Sequence, residues 1–361
     1  TLSEGTVILS IRDPDITTIG DMNLAVERAY EAPFFKCKSL LRVYLKGCTK
    51  LTSVGNFAFA SCSSLTSMVL PDSLTQIGEA AFGGCTSLTS VVLPDSLTEL
   101  GESAFQDCTS LTSVVLPDSF TELGEYAFQD CTSLTSMVLP DSLTQLGDGA
   151  FLRCSSLTSV VLLDSLTLLG KGAFGDCTSL TSAVLPDSLT QLGEGAFTFC
   201  SSLTSVVLPD SLTQLGEQAF AKCTSLTSML LPDSLTQVGR LAFGGCSSLM
   251  SVILPDSTTL GDGAFYECDA LVQKAALAGF DSVELYLRYR YKSITLRKLV
   301  LRLLRKYKKA VNYAYGTEAE KHATALALFP ADNTGSLEVG LFLQKMNISG
   351  GDGVIGLVGY I

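Results

Sequence analysis

The chain has 361 residues, 47% of them apolar, and a formal net charge of −12. That is ample for a large buried core, and the acidic balance argues against nucleic acid as the main partner. No stretch reaches the ~18 consecutive apolar residues of a membrane-spanning helix. The opening TLSEGTVILS has neither the basic nor the apolar region of a signal peptide, although a chain that does not begin with Met leaves room for a processed leader.

Residues 1–61 read as the capping, degenerate start of a repeat that becomes regular at Cys62. Val7-Ile8-Leu9 suits a first strand, and Ile16-Thr-Thr-Ile19-Gly20 matches the later Leu74 to Gly78. About ten extra residues before Phe34 have helical composition and are expected to form a helix covering the open end. Phe34-Phe-Lys-Cys37 restores a Phe-x-x-Cys step, and a 25-residue unit follows to Cys62. Cys48 falls in its insertion and is a candidate exposed thiol.

From Cys62 to Cys268 the chain is nine copies of one unit. Cys62, Cys85, Cys108, Cys131, Cys154, Cys177, Cys200, Cys223 and Cys246 stand 23 residues apart, and Cys268 follows after 22. A period in this range, with Leu at set offsets, is the signature of a solenoid built from one short strand per repeat. In the unit after Cys62, Leu65, Met68 and Leu70 are predicted to point inward, with Ser67 and Val69 outward. Pro71-Asp72-Ser73 turns the chain, because Pro fixes φ and Asp can bond backbone two residues on. Leu74 and Ile77 return to the core, Gly78 suits a tight bend, and Glu79 to Cys85 has room for one helical or 3₁₀ turn carrying Ala81 and Phe82 inward. Strands stacked roughly 4.8 Å apart would make a sheet about 40 Å long. Ten of the 12 cysteines fall in one inward slot, which predicts a ladder of buried thiols rather than a disulfide framework or a zinc site. Unbridged thiols favour a reducing compartment. Two units depart from consensus: Leu163 replaces the turn proline, and the last unit is one residue short at Pro255 to Leu260.

The pattern LPDSLTxIGxxAFxxCTSLTSV resembles the BspA-like (Treponema pallidum-type) leucine-rich repeats over about residues 7–268. The resemblance implies a leucine-rich repeat solenoid, a curved parallel β stack with short helical or 3₁₀ turns on its other side. It also implies a non-enzymatic binding or adhesion protein.

After Cys268 the period stops, and residues 269–361 are expected to form a small helical module. Asp269 to Leu277 reads as a helix closing the stack. Ser282 to Tyr291 is ambiguous, since LYLRYRY alternates like a strand while Ser282 can cap a helix. Ile294 to Tyr315 reads as an amphipathic helix with Leu296, Leu299, Val300, Leu303, Tyr307 and Val311 on one face. Its basic face carries Arg297, Lys298, Arg302, Arg305, Lys306, Lys308 and Lys309. Thr317 to Glu320 forms a capping box for a short helix, and Ser336 to Met346 suits another. Charge is segregated: residues 63–262 hold 4 Lys/Arg against 21 Asp/Glu, whereas residues 274–309 hold 11 against 2.

Enzyme motifs are wanting. His322 is the only histidine and has no Cys or Ser motif around it, and the Gly351 to Gly356 GxGxxG match leaves no room for a βαβ unit. There is no P-loop, HExxH or GxSxG, so no cofactor, metal or catalytic residue is expected. The column Asp72, Asp95, Asp118, Asp141, Asp164, Asp187, Asp210, Asp233 and Asp256 invites cations, but turn hydrogen bonding is the better account, since calcium would need more oxygen ligands than the neighbouring Ser supplies.

The candidate binding face is the outward side of the strands, expected to be concave. One column is Ser67, Ser90, Ser113, Ser136, Ser159, Ser182, Ser205, Ser228 and Ser251; the other is Val69, Val92, Val115, Val138, Val161, Val184, Val207, Leu230 and Ile253. An uncharged, β-branched stripe of this length suits a protein partner or a larger complex, although strand propensity and unit duplication would also produce it. Two other readings stand beside it. One is adhesion to a repetitive glycan or an ice-like surface, for which the sequon at Asn347 is a weak sign. The other is binding of the basic segment Arg297–Lys309 to nucleic acid, an acidic membrane surface or a calmodulin-like partner, although packing against the acidic solenoid or simple solvation accounts for the segment as well.

Overall fold

A computed structural model describes residues 7–11, 15–16, 18–19 and 33–292. The chain winds as a parallel β-solenoid in which equivalent residues of successive units pair at the sequence period. Ser136 pairs with Ser113 and Val138 with Val115, and the same step links Ser182–Val184 to Ser159–Val161 and to Ser205–Val207. These three-residue strands form the first ladder. Their middle residues, such as Val114, Val160 and Ala183, face the core.

A second ladder goes beyond the single strand per unit expected from the sequence. Two-residue strands at Gln76–Ile77, Glu99–Leu100 and their equivalents also pair in parallel, and seven of them run without interruption from Glu122–Leu123 to Thr259–Leu260. Each keeps one residue in the core, as Ile77, and turns its neighbour outward, as Gln76. Between the ladders, Ser73 donates its hydroxyl to the Leu51 carbonyl of the unit before at 2.7 Å, and Ser211 does the same to Leu189 at 2.7 Å. The unit that lost its proline keeps the turn, with Leu166 N–H on the Leu163 carbonyl at 3.0 Å. Its Ser165 hydroxyl, however, is buried without a hydrogen-bond partner.

The third side only partly follows the expected helical turn. The N–H groups of Ala81, Gly83 and Cys85 bond three residues back within the unit, as in a 3₁₀ turn. The alternate donors leave it: Ala80, Phe82 and Gly84 donate to the carbonyls of Glu102, Ala104 and Gln106 in the next unit at 2.7–2.9 Å. This alternation requires two left-handed residues per unit, as at Ala80 (φ 45°) and Gly84 (φ 72°). Left-handed backbone costs a non-glycine residue about 1–2 kcal/mol. The bonds to the next unit offset that cost, since every buried backbone donor must find an acceptor.

Each unit places the same side chains at the same height, so the core is a set of columns. Phenylalanine rings stack from Phe34 to Phe265 with centroids 5.0–5.6 Å apart and planes within 12°. Parallel rings at that separation are offset, which avoids the repulsive face-to-face arrangement. Beside them runs the thiol ladder. Cys85 Sγ donates to the Phe59 carbonyl at 3.3 Å, Cys154 to Phe128 at 3.2 Å, and Cys268 to Phe243 at 3.1 Å. All 12 cysteines carry thiols. Burial pushes Cys200 and Cys268 up from 9.0 to about 12, the hydrogen bonds along the ladder pulling the other way.

Cys48 corrects an expectation. It is fully buried, with Sγ 3.4 Å from the Ile11 carbonyl, because the longer turn between Leu45 and Leu51 folds its small apolar residue under the first units. The N-terminal start is as read: Val7–Ser10 pairs with Leu40–Tyr44, and Thr18–Ile19 with Ser53–Val54. The helix expected before Phe34 lies outside the described residues.

At the other end, helices α1 (Asp269–Leu277) and α2 (Val283–Lys292) close the stack. α1 buries Leu271 and Ala275, and α2 buries Tyr286 and Leu287. The ambiguous segment is therefore helical: those burials fit a helix edge, and Ser282 Oγ accepts the Leu285 N–H at 3.2 Å. The short last unit brings Thr258 into the core, where its hydroxyl donates to the Leu235 carbonyl at 2.7 Å. Arg288 donates to the carbonyls of Asp256 (2.9 Å) and Thr258 (3.2 Å), which have no further unit to bond.

Close approach of the units is enforced by one glycine column. A Cβ on Gly147 would lie 2.7 Å from Glu125 N and 2.7 Å from Gly124 C, whereas one on Gly172 (φ 58°) would meet nothing within 4 Å. Gly147→Ala is expected to cost about 1–3 kcal/mol through overpacking of backbone, beyond the ~1 kcal/mol backbone penalty of Gly172→Ala. Urea unfolding of the two variants checks the difference. The thiols generate a second expectation. A thiol reagent at neutral pH should label about one of the 12 cysteines in the native chain, the half-buried Cys37, and all 12 after denaturation. Because folded thiol pKa values are raised, their stabilisation is complete below pH 9 and is lost as pH rises toward 12. Replacing Cys177 and Cys200 by Ala should flatten that loss by about 3 kcal/mol per pH unit above pH 10, read from unfolding curves against pH.

Candidate functional site

The outward face of the first ladder is set by strand alternation. With Val114 turned in, Ser113 and Val115 must turn out, and each unit repeats the choice. The threonine preceding most of these serines is occupied by the stack itself: Thr112 Oγ1 donates to the Thr89 carbonyl at 3.2 Å, and Thr204 to Thr181 at 3.0 Å, whereas Met250 precedes Ser251. The serines and valines are left to face away, with no charged side chain in either column.

Exposure along the valine column is uneven. Val69 is 37% exposed, Val92 81%, Val115 59% and Val138 56%, with Tyr44 continuing the stripe at 37%. Val161 and Val184 are half-buried, and Val207 and Leu230 fall to 8% and 9%. The serine column follows the same course: Ser90, Ser113, Ser136 and Ser159 are exposed, Ser67, Ser182, Ser228 and Ser251 are half-buried, and Ser205 is buried. Ile253 is half-buried, and its strand, Ser251–Ile253, lies against α2. The stripe expected along all nine units is thus open over the first four and closed over the later ones. Strand alternation could be read from the sequence, but this unevenness could not, because the repeat gives Val115 and Val207 the same neighbours in sequence.

Other candidates give less. Among the described residues no cluster of His, Cys, Asp or Glu is arranged to hold a metal ion. In the aspartate column, Asp164 Oδ1 accepts the Asp187 N–H at 3.2 Å, a structural use across the unit boundary. An open polar groove of ≈ 640 Å³ on the second ladder is lined by Asn56, Gln76, Glu79, Glu99 and Glu122 among others. Asn56 there accepts the Glu79 N–H at 2.8 Å, and no thiol or imidazole lines the groove. The ladder thiols are poor nucleophiles, since burial raises Cys108, Cys154, Cys177 and Cys223 well above the ordinary thiol value. No helix among the described residues is long and apolar enough to cross a membrane. Arg297, Lys298, Arg302, Arg305, Lys306 and Lys309 lie outside the described residues, as do His322, Asn347 and the GxGxxG match.

Known proteins carry the same repeat. The BspA type leucine rich repeat region matches in six copies, over residues 52–181 and 145–272. Among solved structures, a leucine-rich repeat protein from Bacteroides ovatus is 28% identical over 75% of this chain and 90% of its own, with a TM-score of 0.40. A leucine rich cell surface protein from Faecalibacterium prausnitzii is 26% identical over 64% of this chain and 82% of its own, with a TM-score of 0.36. The T. pallidum leucine rich repeat protein is 34% identical over 49% of this chain and 72% of its own, with a TM-score of 0.36. No curated protein matches. Proteins built from these repeats are in general non-catalytic scaffolds, and the match is consistent with protein interaction or surface adhesion. With more than half of its length matched unit by unit, the chain belongs to the BspA-type leucine-rich repeat family.

Proposed function

We propose that the protein is a non-catalytic interaction module that binds a protein partner through the open part of the first-ladder face. The observation that carries this reading is the exposed column Val69, Val92, Val115 and Val138, uncharged and flanked by the exposed hydroxyls of Ser90, Ser113 and Ser136. A strand face of β-branched residues gains about 25 cal/mol for each Å² of apolar surface removed from water. Its rigid backbone adds little ordering cost on binding. In this reading residues 1–61 cap the stack, 62–268 are the repeats that carry the face, and 269–361 are a C-terminal module whose first two helices close the stack.

A second reading, adhesion to a repetitive glycan, draws on the serine column. Ser113 and Ser136 are direct ladder partners, so their hydroxyls recur at the strand spacing of roughly 4.8 Å. Competition by soluble oligosaccharide separates this from a protein partner.

The test places lysines at Val92, Val115 and Val138 together. All three side chains are exposed, so the fold and its circular dichroism should be unchanged. Affinity for proteins captured from the source extract by the unsubstituted chain should fall by about thirtyfold or more, the loss of a central contact worth ~2 kcal/mol. Undiminished capture by the folded triple variant overturns the reading.

A further inference from the structure

Successive units are not joined equally on the first-ladder side. At most boundaries the threonine before the strand donates twice to one carbonyl of the preceding unit. Thr135 does so to Thr112 through its N–H (3.0 Å) and Oγ1 (3.2 Å), and Thr181 does so to Thr158 through both at 3.0 Å. A further bond closes the far end of several strands, as from Leu116 N–H to the Val138 carbonyl and from Leu185 N–H to the Val207 carbonyl, each at 3.3 Å. Among the described residues, two boundaries lack all three bonds. Neither donor of Thr158 reaches the Thr135 carbonyl, and Leu139 N–H does not reach Val161. The same three bonds are missing between Thr227 and Thr204 and between Leu208 and Leu230. The first ladder is accordingly cut after Ser136–Val138 and again after Ser205–Val207.

On the other two sides these boundaries hold. In the second ladder Gln145–Leu146 pairs with Leu168–Leu169, and Gln214–Leu215 pairs with Gln237–Val238. On the third side Gly149, Phe151 and Arg153 donate to the carbonyls of Lys171, Ala173 and Gly175 at 2.7–2.9 Å. Gln218, Phe220 and Lys222 donate to Arg240, Ala242 and Gly244 over the same range. Bonding lost on one side and kept on the opposite side is the arrangement of a hinge. The sequence supplies a cause. At both cuts the inward strand residue on one side is methionine, Met137 against the unit of Val160 and Met229 against the unit of Val206. Where Ala183 takes this slot, the strand pairs in full with both neighbours. Methionine is longer than valine, so in a column of fixed spacing its extra length is accommodated by parting the strands. Its other neighbour stays paired, Met137 with Val114 and Met229 with Val252, so each methionine opens one boundary. Met68 shows the same bias in milder form: it pairs with Val43, while the next unit keeps only the bridge between Ser67 and Ser90.

We propose that these two boundaries are hinges, at which the stack bends by opening on the first-ladder side while the third side stays joined, and that Met137 and Met229 set their places. The first-ladder face then moves as three plates, one ending at Val138, one from Ser159 to Val207, and one from Ser228 to Ile253. The hinges stand without the proposed binding face and rest on it for one consequence only. The exposed stripe from Val69 to Val138 lies on a single plate, so a partner held there can be turned relative to the C-terminal helices without losing its contact.

The test uses the full chain without a partner, so its failure is separate from that of the binding reading. Amide hydrogen exchange followed by NMR should show Thr158 and Thr227 exchanging at least about tenfold faster than Thr135 and Thr181, with Phe151 and Phe220 at the same boundaries remaining slow. Met137→Val should slow Thr158 to within about threefold of Thr135 and leave Thr227 fast, and Met229→Val should do the reverse. Bending is read separately with spin labels on exposed positions in a Cys37→Ser chain, where the ladder thiols are unreactive. The pair Ser113→Cys and Ser159→Cys spans the first hinge, and the pair Ser90→Cys and Ser136→Cys spans as many units without it. The first pair should give the broader distance distribution, narrowed by Met137→Val. Equal exchange of Thr158 and Thr135 overturns the proposal, and so does fast exchange with equal distance distributions, which makes the cuts rigid. Loss of protection at Phe151 together with Thr158 overturns it as well, since the unit then unfolds rather than bends.

Discussion

Everything in this molecule depends on one constraint: each unit must bond the next along its whole contour, at strand spacing. Two ladders and the alternating turn side meet that demand with backbone donors, and Ser73, Thr112 and Cys85 meet it with side chains that each reach a carbonyl one unit earlier. A residue type is therefore fixed wherever it faces a neighbouring unit. Gly147 must lack a side chain because backbone occupies the space, and Phe151 must match the ring above and below it. The period of 23 is the outcome of that matching, and the two units that depart from it, of 25 and 22 residues, take up the difference in turns while Phe34 and Phe265 keep their places in the ring column.

The thiol ladder shows how far this goes. Cysteine is small and apolar enough for the core, yet its S–H reaches the phenylalanine carbonyl that the backbone turn leaves with a spare lone pair. Alanine would fill most of the space without the bond. Serine would make the bond at a greater desolvation cost. Burial then holds the thiols protonated, so the same placement that uses them structurally removes them from chemistry.

The main architecture was legible because repetition turns a weak local signal into a strong one: a single Phe-x-x-Cys says little, and ten in series from Phe59 to Cys268 say solenoid. The features that stayed hidden had no periodic signature of their own. The second ladder consists of two-residue strands, too short for alternation to register. The left-handed positions hold Ser103, Tyr126 and Leu241 in some units, which obscures the glycines at Gly149, Gly172 and Gly195 that mark the slot. Cys48 lies off register and has the sequence context of a surface thiol, although Leu45 and Leu51 beside it belong to the core columns. The binding columns themselves were readable residue by residue. Their uneven exposure was not, because the repeat pattern does not distinguish Val115 from Val207.

The closed C-terminal end has a meaning of its own. A stack of identical layers ends in a surface that fits another copy of itself, with unpaired carbonyls and exposed ring faces ready to continue the series. Such an end is a seed for filament growth. Here the last unit is shortened, Thr258 takes the place of the usual leucine, Arg288 occupies the outgoing carbonyls, and two helices lie over Cys268 and its neighbours. The irregularities that spoil the repeat are thus what give the molecule a finite length.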